Sequence, residues 1–322
     1  MQRHPLRKIV RSLLLGVLLS LSPALAQAAC SFTISDLNFG SVNLLGASTY
    51  DSTATVNISC TNTDLLSLTY RICLNLNAGG VPATGSTRNL ANGSSRITYQ
   101  LFQDANRTVP WGSNTSTGFG NPPQVNMLVL PGVTLNATRT IYGRILGPQA
   151  TAPGGLYTSL FSGAGGANFT YAPLALATAC SNINQNPTRP QFTVRANVDR
   201  TCNVNALPMN FGTHGVIDSV VDATSSLSVT CSTGLPYTIA LNNGETGTAP
   251  DQRRMTRGNQ AVIYGLYQNA ARSRVWGPAA DQGVGSVGTG AGQTFPIYGR
   301  IVPQTTPSQG VYNDTVVVTV TY

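Results

Sequence analysis

The sequence has 322 residues, which is enough for two domains of ordinary size. Its 33 glycines, 19 prolines and low share of charged residues, 9%, are typical of a β-rich protein with many turns, and its 41% of hydrophobic residues excludes a disordered chain. Four of the 19 basic residues lie within residues 1–28, which we expect to be cleaved off as a leader, so that 15 basic residues would remain against 11 acidic ones. The resulting net charge of +4 gives no basis for nucleic-acid binding.

Residues 1–28 have the pattern of a Sec signal peptide. Basic residues precede the apolar run Leu13–Leu21, and Ala26-Gln27-Ala28 is a small-residue cleavage site. The apolar run is too short to span a membrane. We therefore expect export, cleavage before Ala29, and disulfide bonds among the six cysteines of the mature chain.

The mature chain contains two copies of one pattern. The segment from Cys30 to Cys60 returns as Cys202 to Cys231, and in each copy a Trp-Gly turn precedes a Tyr-Gly-Arg-Ile strand. Short alternating runs are separated by Gly, Pro and Asn turns, which is the pattern of an antiparallel β-sandwich. The sequence therefore predicts an all-β protein with two tandem sandwich domains.

The repeat also suggests how the cysteines pair. The simplest arrangement joins Cys30 to Cys60 and Cys202 to Cys231, each within its own copy. Cys73 and Cys180 remain in the first copy, where we expect a third disulfide; the alternative is two free buried thiols.

Composition sets the expected domain boundaries. Residues 29–180 and 191–322 are expected to form the domains, joined by the polar, proline-containing linker 181–190. Residues 192–198 alternate as a strand does, and they either complete the first domain or act as a structured connector.

These residues resemble the spore coat protein U domain family. The resemblance is carried by the cysteine spacing, the Trp-Gly turns, the Tyr-Gly-Arg-Ile strands and the closing segment Gly310–Tyr322 with Asp314. The first copy departs from the pattern, because Tyr157–Phe161 lacks the aspartate. The resemblance covers nearly the whole mature chain. It implies immunoglobulin-like domains similar to subunits of archaic chaperone–usher pili, whose pilin domain lacks its final strand and receives one from another protein.

Within that family the layout resembles a tip adhesin, with the binding domain first and the pilin domain second. After cleavage only Ala29 would precede Cys30, so we expect no donor extension and a position at the pilus tip on the cell surface. The implied partners are a periplasmic chaperone, an outer-membrane usher, an adjacent pilin that donates a strand, and an abiotic or host surface to which the protein attaches in biofilm formation. The strand-accepting face of the second domain is expected to carry Val316, Val318, Val320 and Tyr322.

Apolar turn residues of the first copy are the candidates for adhesion. The interval between Trp111 and Tyr142 is longer than its counterpart in the second copy and contains an apolar run. Apolar loop tips suit hydrophobic surfaces, because their burial needs no stereospecific partner. The run around Met127 has an ordinary core strand as its alternative. The candidates are Leu44, Leu45, Leu65, Leu66, Met127, Leu128, Val129, Leu130, Leu160 and Phe161.

Catalytic chemistry has little support in the sequence. His214 and Glu245 are the single histidine and glutamate of the expected mature chain, and they form no hydrolytic or metal-binding constellation. Residues 283–288 match a dinucleotide-binding glycine pattern, but no helix follows them. We therefore expect neither an enzyme nor a cofactor. The alternatives to a pilus adhesin are a structural coat protein of resting cells or spores and a secreted carbohydrate-binding module.

Overall fold

The computed structural model describes residues 29–63, 68–175 and 179–322, so the expected signal peptide lies outside the described residues. Strands dominate this part of the chain, and its helices are three single 3-10 turns, at Thr117–Phe119, Cys180–Asn182 and Ala280–Gln282. None of its helices is long and apolar enough to cross a membrane. The all-β prediction is confirmed.

The first sandwich, here the first unit, packs an eight-stranded sheet against a three-stranded one. The large sheet has the order β1-β3-β8-β6-β5-β9-β11-β2 and the small sheet the order β10-β4-β7. Its strands are β1 (Ala29–Ile34), β2 (Leu37–Val42), β3 (Thr49–Thr61), β4 (Thr69–Leu76), β5 (Arg88–Asn92), β6 (Ser95–Phe102), β7 (Gln124–Leu128), β8 (Thr134–Leu146), β9 (Gly155–Phe161), β10 (Ala167–Pro173) and β11 (Phe192–Val198).

The second sandwich, here the second unit, repeats this plan with fewer strands among the described residues. Its sheets have the orders β12-β13-β18-β16-β15 and β17-β14-β19. The strands are β12 (Cys202–Ala206), β13 (Val221–Cys231), β14 (Pro236–Leu241), β15 (Arg253–Arg257), β16 (Gln260–Tyr267), β17 (Val284–Val287), β18 (Gln293–Ile301) and β19 (Val318–Thr321). The repeat that the sequence predicts is therefore also present in the arrangement of strands in the two units.

Alternation of side chains explains why these segments form strands. In β3, Val56, Ile58 and Cys60 point into the core while the residues between them face outward. The hairpins β5–β6 and β15–β16 each turn at a glycine with positive φ, Gly93 and Gly258, a conformation that other residues adopt only under strain.

β11 completes the large sheet of the first unit. It runs antiparallel to β9 and parallel to β2. Its inward side chains, which are Phe192, Val194, Ala196 and Val198, are buried in the first core. Of the two expected roles of this strand, the structure shows the first. The apolar face of β11 fills the first core, and the first strand in the sheets of the second unit is β12, which begins at Cys202.

All three disulfides form with the predicted pairing. Cys30–Cys60 joins β1 to β3 and Cys202–Cys231 joins β12 to β13, each with a Cα–Cα distance of 4.1 Å. Cys73–Cys180 joins β4 to the chain beyond β10, across 107 residues. It lies in a small buried cluster with Ala172 and Ile183. This third disulfide anchors the connection that leads from β10 to β11.

Each unit also contains a fully buried arginine, Arg88 in the first and Arg253 in the second, whose burial the sequence pattern did not predict. The Arg88 guanidinium donates to the backbone carbonyls of Leu76, Asn77 and Trp111 at 2.6–2.8 Å. Arg253 repeats this arrangement on the carbonyls of the second unit, including that of Trp276 at 2.7 Å. Burial lowers the pKa of both guanidinium groups to about 10, so both stay charged at neutral pH.

Replacing Arg88 with Met should destabilise the first unit. The substitution leaves three buried carbonyl groups without donors, and removal of such a charged hydrogen-bonding group costs about 3–5 kcal/mol. Arg96→Met is the matched control, because Arg96 is exposed and donates only to neighbouring carbonyls; its effect should stay within about 0.5 kcal/mol. Denaturant unfolding of the full chain measures both, and equal midpoints for the two variants would contradict the assignment.

Candidate functional site

A groove runs along the second unit where β11 lies in the first, and we call it the second-unit groove. Its floor is formed by buried side chains of β14, β16 and β18, among them Leu241, Leu266 and Ile297. One wall is the segment 206–211, and the other is the segment 312–318. The groove holds a cavity of about 340 Å³.

The two walls correspond to β2 and β9 of the first unit. In β2 the Asn38 side chain accepts a hydrogen bond from the backbone N–H of Gly40 at 3.0 Å. The Asn210 side chain accepts the equivalent hydrogen bond from the Gly212 N–H at 2.8 Å. On the other wall, the bridge between Thr256 and Asn313 repeats the pairing of β5 with β9. The walls are therefore equivalent in structure as well as in sequence.

What differs is the strand between the walls. In the part of the chain that the structure describes, no strand pairs with 207–212 or 310–316 on the side facing the groove, and neither segment is itself assigned as a strand. The wall residues of the second unit are correspondingly less buried than those of the first. Tyr157, Ser159 and Phe161 of β9 are buried, whereas the residues at the same positions of the second unit, Tyr312, Asp314 and Val316, alternate in the same way but are only half-buried.

Asp314 organises one wall of the groove. Its carboxylate accepts hydrogen bonds from the backbone N–H groups of Glu245 and Thr315, both at 2.9 Å, and from the Tyr264 hydroxyl at 2.7 Å. Burial raises the pKa of Tyr264 and the Asp314 carboxylate raises it further, so the hydroxyl stays protonated and donates. A Cβ on Gly244 would overlap this carboxylate, which explains the glycine there.

The four residues expected on the strand-accepting face have different positions. Val316 and Val318 line the groove. Val320 packs partly against the core beyond it, and Tyr322 is largely exposed at the end of the described chain. The sequence analysis missed Met209 on the opposite wall, although its alignment with Leu37 of β2 could have identified it.

A second candidate surface is the end of the first unit farthest from the second, which we call the tip end. It lies where β3 ends at Thr61 and β8 begins, about 40 Å along β3 from the junction with the second unit. A tight turn closes there, with the Val133 N–H donating to the Leu130 carbonyl at 3.0 Å. Five large apolar side chains at this end are 40–60% exposed, namely Leu68, Leu128, Leu130, Val133 and Leu135.

Only part of the expected adhesive set lies at the tip end with an exposed side chain. Leu128 and Leu130 do so. Leu65 and Leu66 lie outside the described residues. Leu160 is exposed, but it belongs to β9, which pairs with β11 away from this end.

The remaining adhesion candidates are either buried or lie at the other end of the first unit. Met127, Val129 and Phe161 are buried because they occupy the inward positions of alternating segments. Leu44 is buried as well, and both it and Leu45 lie at the opposite end of the first unit, where the Gln149 N–H donates to the Leu44 carbonyl. An external surface that meets the tip end would therefore not contact these residues.

The described residues also bear on catalysis. No group of three or more His, Cys, Asp or Glu side chains among them could hold a metal ion. The ring of His214 lies in an exposed turn, where its Nε2 is 2.6 Å from the Phe211 carbonyl oxygen.

Sequence comparison finds one family and a curated relative. The family described as the Spore Coat Protein U domain matches residues 17–163 and 188–319, which is most of the chain. Protein U of Myxococcus xanthus is 29% identical over 169 residues, covering 47% of this chain and 89% of that protein. The match to Protein U thus has about the length of one unit.

Structure comparison supports the same fold. A chain of the CsuC-CsuE chaperone-tip adhesion subunit pre-assembly complex, from the archaic chaperone-usher Csu pili of Acinetobacter baumannii, matches with a TM-score of 0.51 and 17% identity. The match covers 91% of this chain and 100% of that chain. The CupB6 tip adhesin from Pseudomonas aeruginosa is more distant, with a TM-score of 0.42 and 11% identity over 92% of this chain and 94% of its own.

Proposed function

The chain belongs to the spore coat protein U domain family, and we propose that it is the tip adhesin subunit of an archaic chaperone–usher pilus. In this proposal residues 29–198 form the adhesive domain and residues 202–322 the pilin domain. The protein attaches the pilus to an abiotic or host surface, promotes biofilm formation and performs no catalysis. Its place is the cell surface, reached through the periplasm and the outer-membrane usher.

The observation that carries the proposal is the difference between the two copies of one fold. The first unit holds its own β11 between β2 and β9, whereas the second unit presents the same walls around a groove. Half-buried apolar side chains and unpaired strand edges invite another strand, and β-strand addition supplies main-chain hydrogen bonds together with pockets for alternate side chains. A periplasmic chaperone, and later a neighbouring pilin, would provide that strand.

The position of the exposed apolar residues supports adhesion by the first unit. The tip end is the end of this unit opposite the junction with the second unit, so a pilus attached at the groove would leave it free. Leu128 and Leu130 extend there from the edge strand β7 and the turn after it. Burial of one leucine side chain against a hydrophobic surface contributes about 1.5–3 kcal/mol, so a few such residues suffice for attachment.

The family description favours a second candidate, a structural coat protein. A coat protein of this fold would face the same requirement for a strand in the second-unit groove. The two candidates differ in what surrounds the groove in the assembled state. Isolation of the protein from sheared cell-surface fibres supports the pilus, and its isolation from the coat of resting cells supports the alternative.

A charge in the groove should abolish capture of the donor strand. In the variant Val316→Arg the guanidinium would occupy the place of a half-buried valine that lines the groove, and burial of this unpaired charge would oppose strand addition. Thr319→Arg is the matched control, because Thr319 is exposed on the following strand. Both variants are co-expressed with the periplasmic chaperone of the same assembly system, and the amount that co-purifies is measured. We expect co-purification with the chaperone to be lost for Val316→Arg only. The same recovery of both variants would show that the groove is not the strand-accepting site.

The tip end can be tested without touching the groove. The triple variant with serine at Leu128, Leu130 and Val133 should bind polystyrene at least about tenfold more weakly, because it removes much of the apolar area available for contact. The control places serine at Leu156 and Leu160, which are as exposed but lie on β9. Pili carrying either variant are compared at equal surface expression, and an equal decrease in both would remove the tip end from the adhesive site.

A further inference from the structure

Tension between the two units reaches the first unit through β11. Only residues 199–201 separate this strand from β12, and the Asp199 N–H donates to the Val42 carbonyl at 2.9 Å where the chain leaves the unit. We infer that the Cys73–Cys180 disulfide is a mechanical stop, which allows β11 to be pulled out of its sheet but keeps the rest of the first unit folded behind it. Such a stop acts in any assembly that pulls on the second unit.

β11 is the strand that yields first. It pairs along its whole length with β9 and in part with β2, and tension toward the junction acts along its axis. At the opposite end of the unit, Ala29 pairs with Thr61, and the Cys30–Cys60 disulfide passes the load to β3. β3 has 13 residues, all paired with β8, whereas β11 has only seven. Under force the element with the lower barrier to unfolding yields first, and here that is the shorter strand.

Behind β11 the chain turns back on itself at β10. This strand runs toward the tip end, because the Leu174 N–H just after it donates to the carbonyl of Thr69, the partner of Leu128. Tension toward the junction would bend the end of β10 backward and break its pairs with β4 one after another. β10 is an edge strand of the described small sheet. It would therefore be peeled away at low force, since peeling loads one residue pair at a time.

The disulfide intercepts the tension before it reaches β10. Cys180 lies on the connection from β10 to β11, and Cys73 lies in β4, which has β10 on one side and β7 on the other. Once β11 has left its sheet, the covalent path runs from Cys180 directly to this middle strand. The loop that the two cysteines close, with a sequence separation of 107, then carries no tension.

The stop also allows β11 to return. After its release, residues 181–198 stay tethered at Cys180, so insertion of the strand is intramolecular and occurs again when the tension falls. In the second unit Ala240 stands at the position of Cys73, and Cys202–Cys231 closes a loop with a separation of only 29. The long closed loop thus belongs to the unit whose last strand bears the load.

Single-molecule stretching of residues 29–322 between handles at their two ends tests the stop without pilus or chaperone. In the parent chain, the first step of the first unit should gain at most about 60–65 Å, since residues 181–198 supply about 3.3–3.6 Å each. A separate rupture should follow. In the variant Cys73→Ala/Cys180→Ala the first unit should unfold in one step, and the fully extended chain should be longer by about 350–385 Å, the length of the freed loop.

Two further variants keep the test decisive even if the alanine pair does not fold. Val194→Ala removes buried apolar contacts of β11 and retains the disulfide, so it should lower the force of the first step and leave the later rupture unchanged. Cys202→Ala/Cys231→Ala is the matched control, because it opens the loop of the second unit. It should lengthen the extended chain by only about 95–105 Å and leave both steps of the first unit in place.

The stop is refuted by a first step in the parent chain well above about 65 Å, or by the same step pattern in the parent and in the Cys73→Ala/Cys180→Ala variant. An effect of Val194→Ala on the later rupture alone would equally exclude β11 as the first strand to leave. These outcomes are independent of the proposed function, which is tested by co-purification with the chaperone and by adhesion.

Discussion

The insertion of β11 between β2 and β9 is the contact on which the rest of this structure depends. Phe192, Val194 and Val198 together remove enough apolar surface from water to contribute about 5–9 kcal/mol. That is comparable to the whole stability of a typical domain, about 5–15 kcal/mol. A sandwich of this fold without its final strand therefore loses a large share of its stability, and the second unit is such a sandwich within the described residues.

The first unit secures β11 by the route of the chain. After β10 the chain is held to β4 by Cys73–Cys180, and the Thr188 N–H then donates to the Phe169 carbonyl on β10 at 2.8 Å. These two attachments bring the strand back to the edge of β9, and only residues 199–201 separate β11 from β12. The cysteine pair without a counterpart in the second unit thus lies on the connection that makes the first unit self-sufficient.

Much of this architecture follows from the sequence, because a repeat fixes many positions at once. The two sandwiches, the three disulfides and the strand character of residues 192–198 were predictable from spacing and alternation. The sheet to which β11 belongs was not, since a strand placed between two copies has the same local pattern whichever core it fills. The buried Arg88 was missed for a related reason: its partners are backbone carbonyls, which leave no trace in the residue types around them, although its alignment with Arg253 could have marked it.

The candidate sites show the same division between local pattern and three-dimensional position. Apolar turns were recognisable, but hydrophobicity alone did not separate the exposed Leu130 from the buried Val129 next to it, nor the tip end from the junction end where Leu44 lies. For the groove the first unit supplies what hydrophobicity lacks, because it contains the same walls with their strand in place. The rings of Tyr157 and Tyr312 are fixed by the same kind of hydrogen bond, from the hydroxyl to a backbone carbonyl four residues earlier, whether or not a strand lies opposite. The position of the Tyr312 ring is thus set by a contact within the second unit itself.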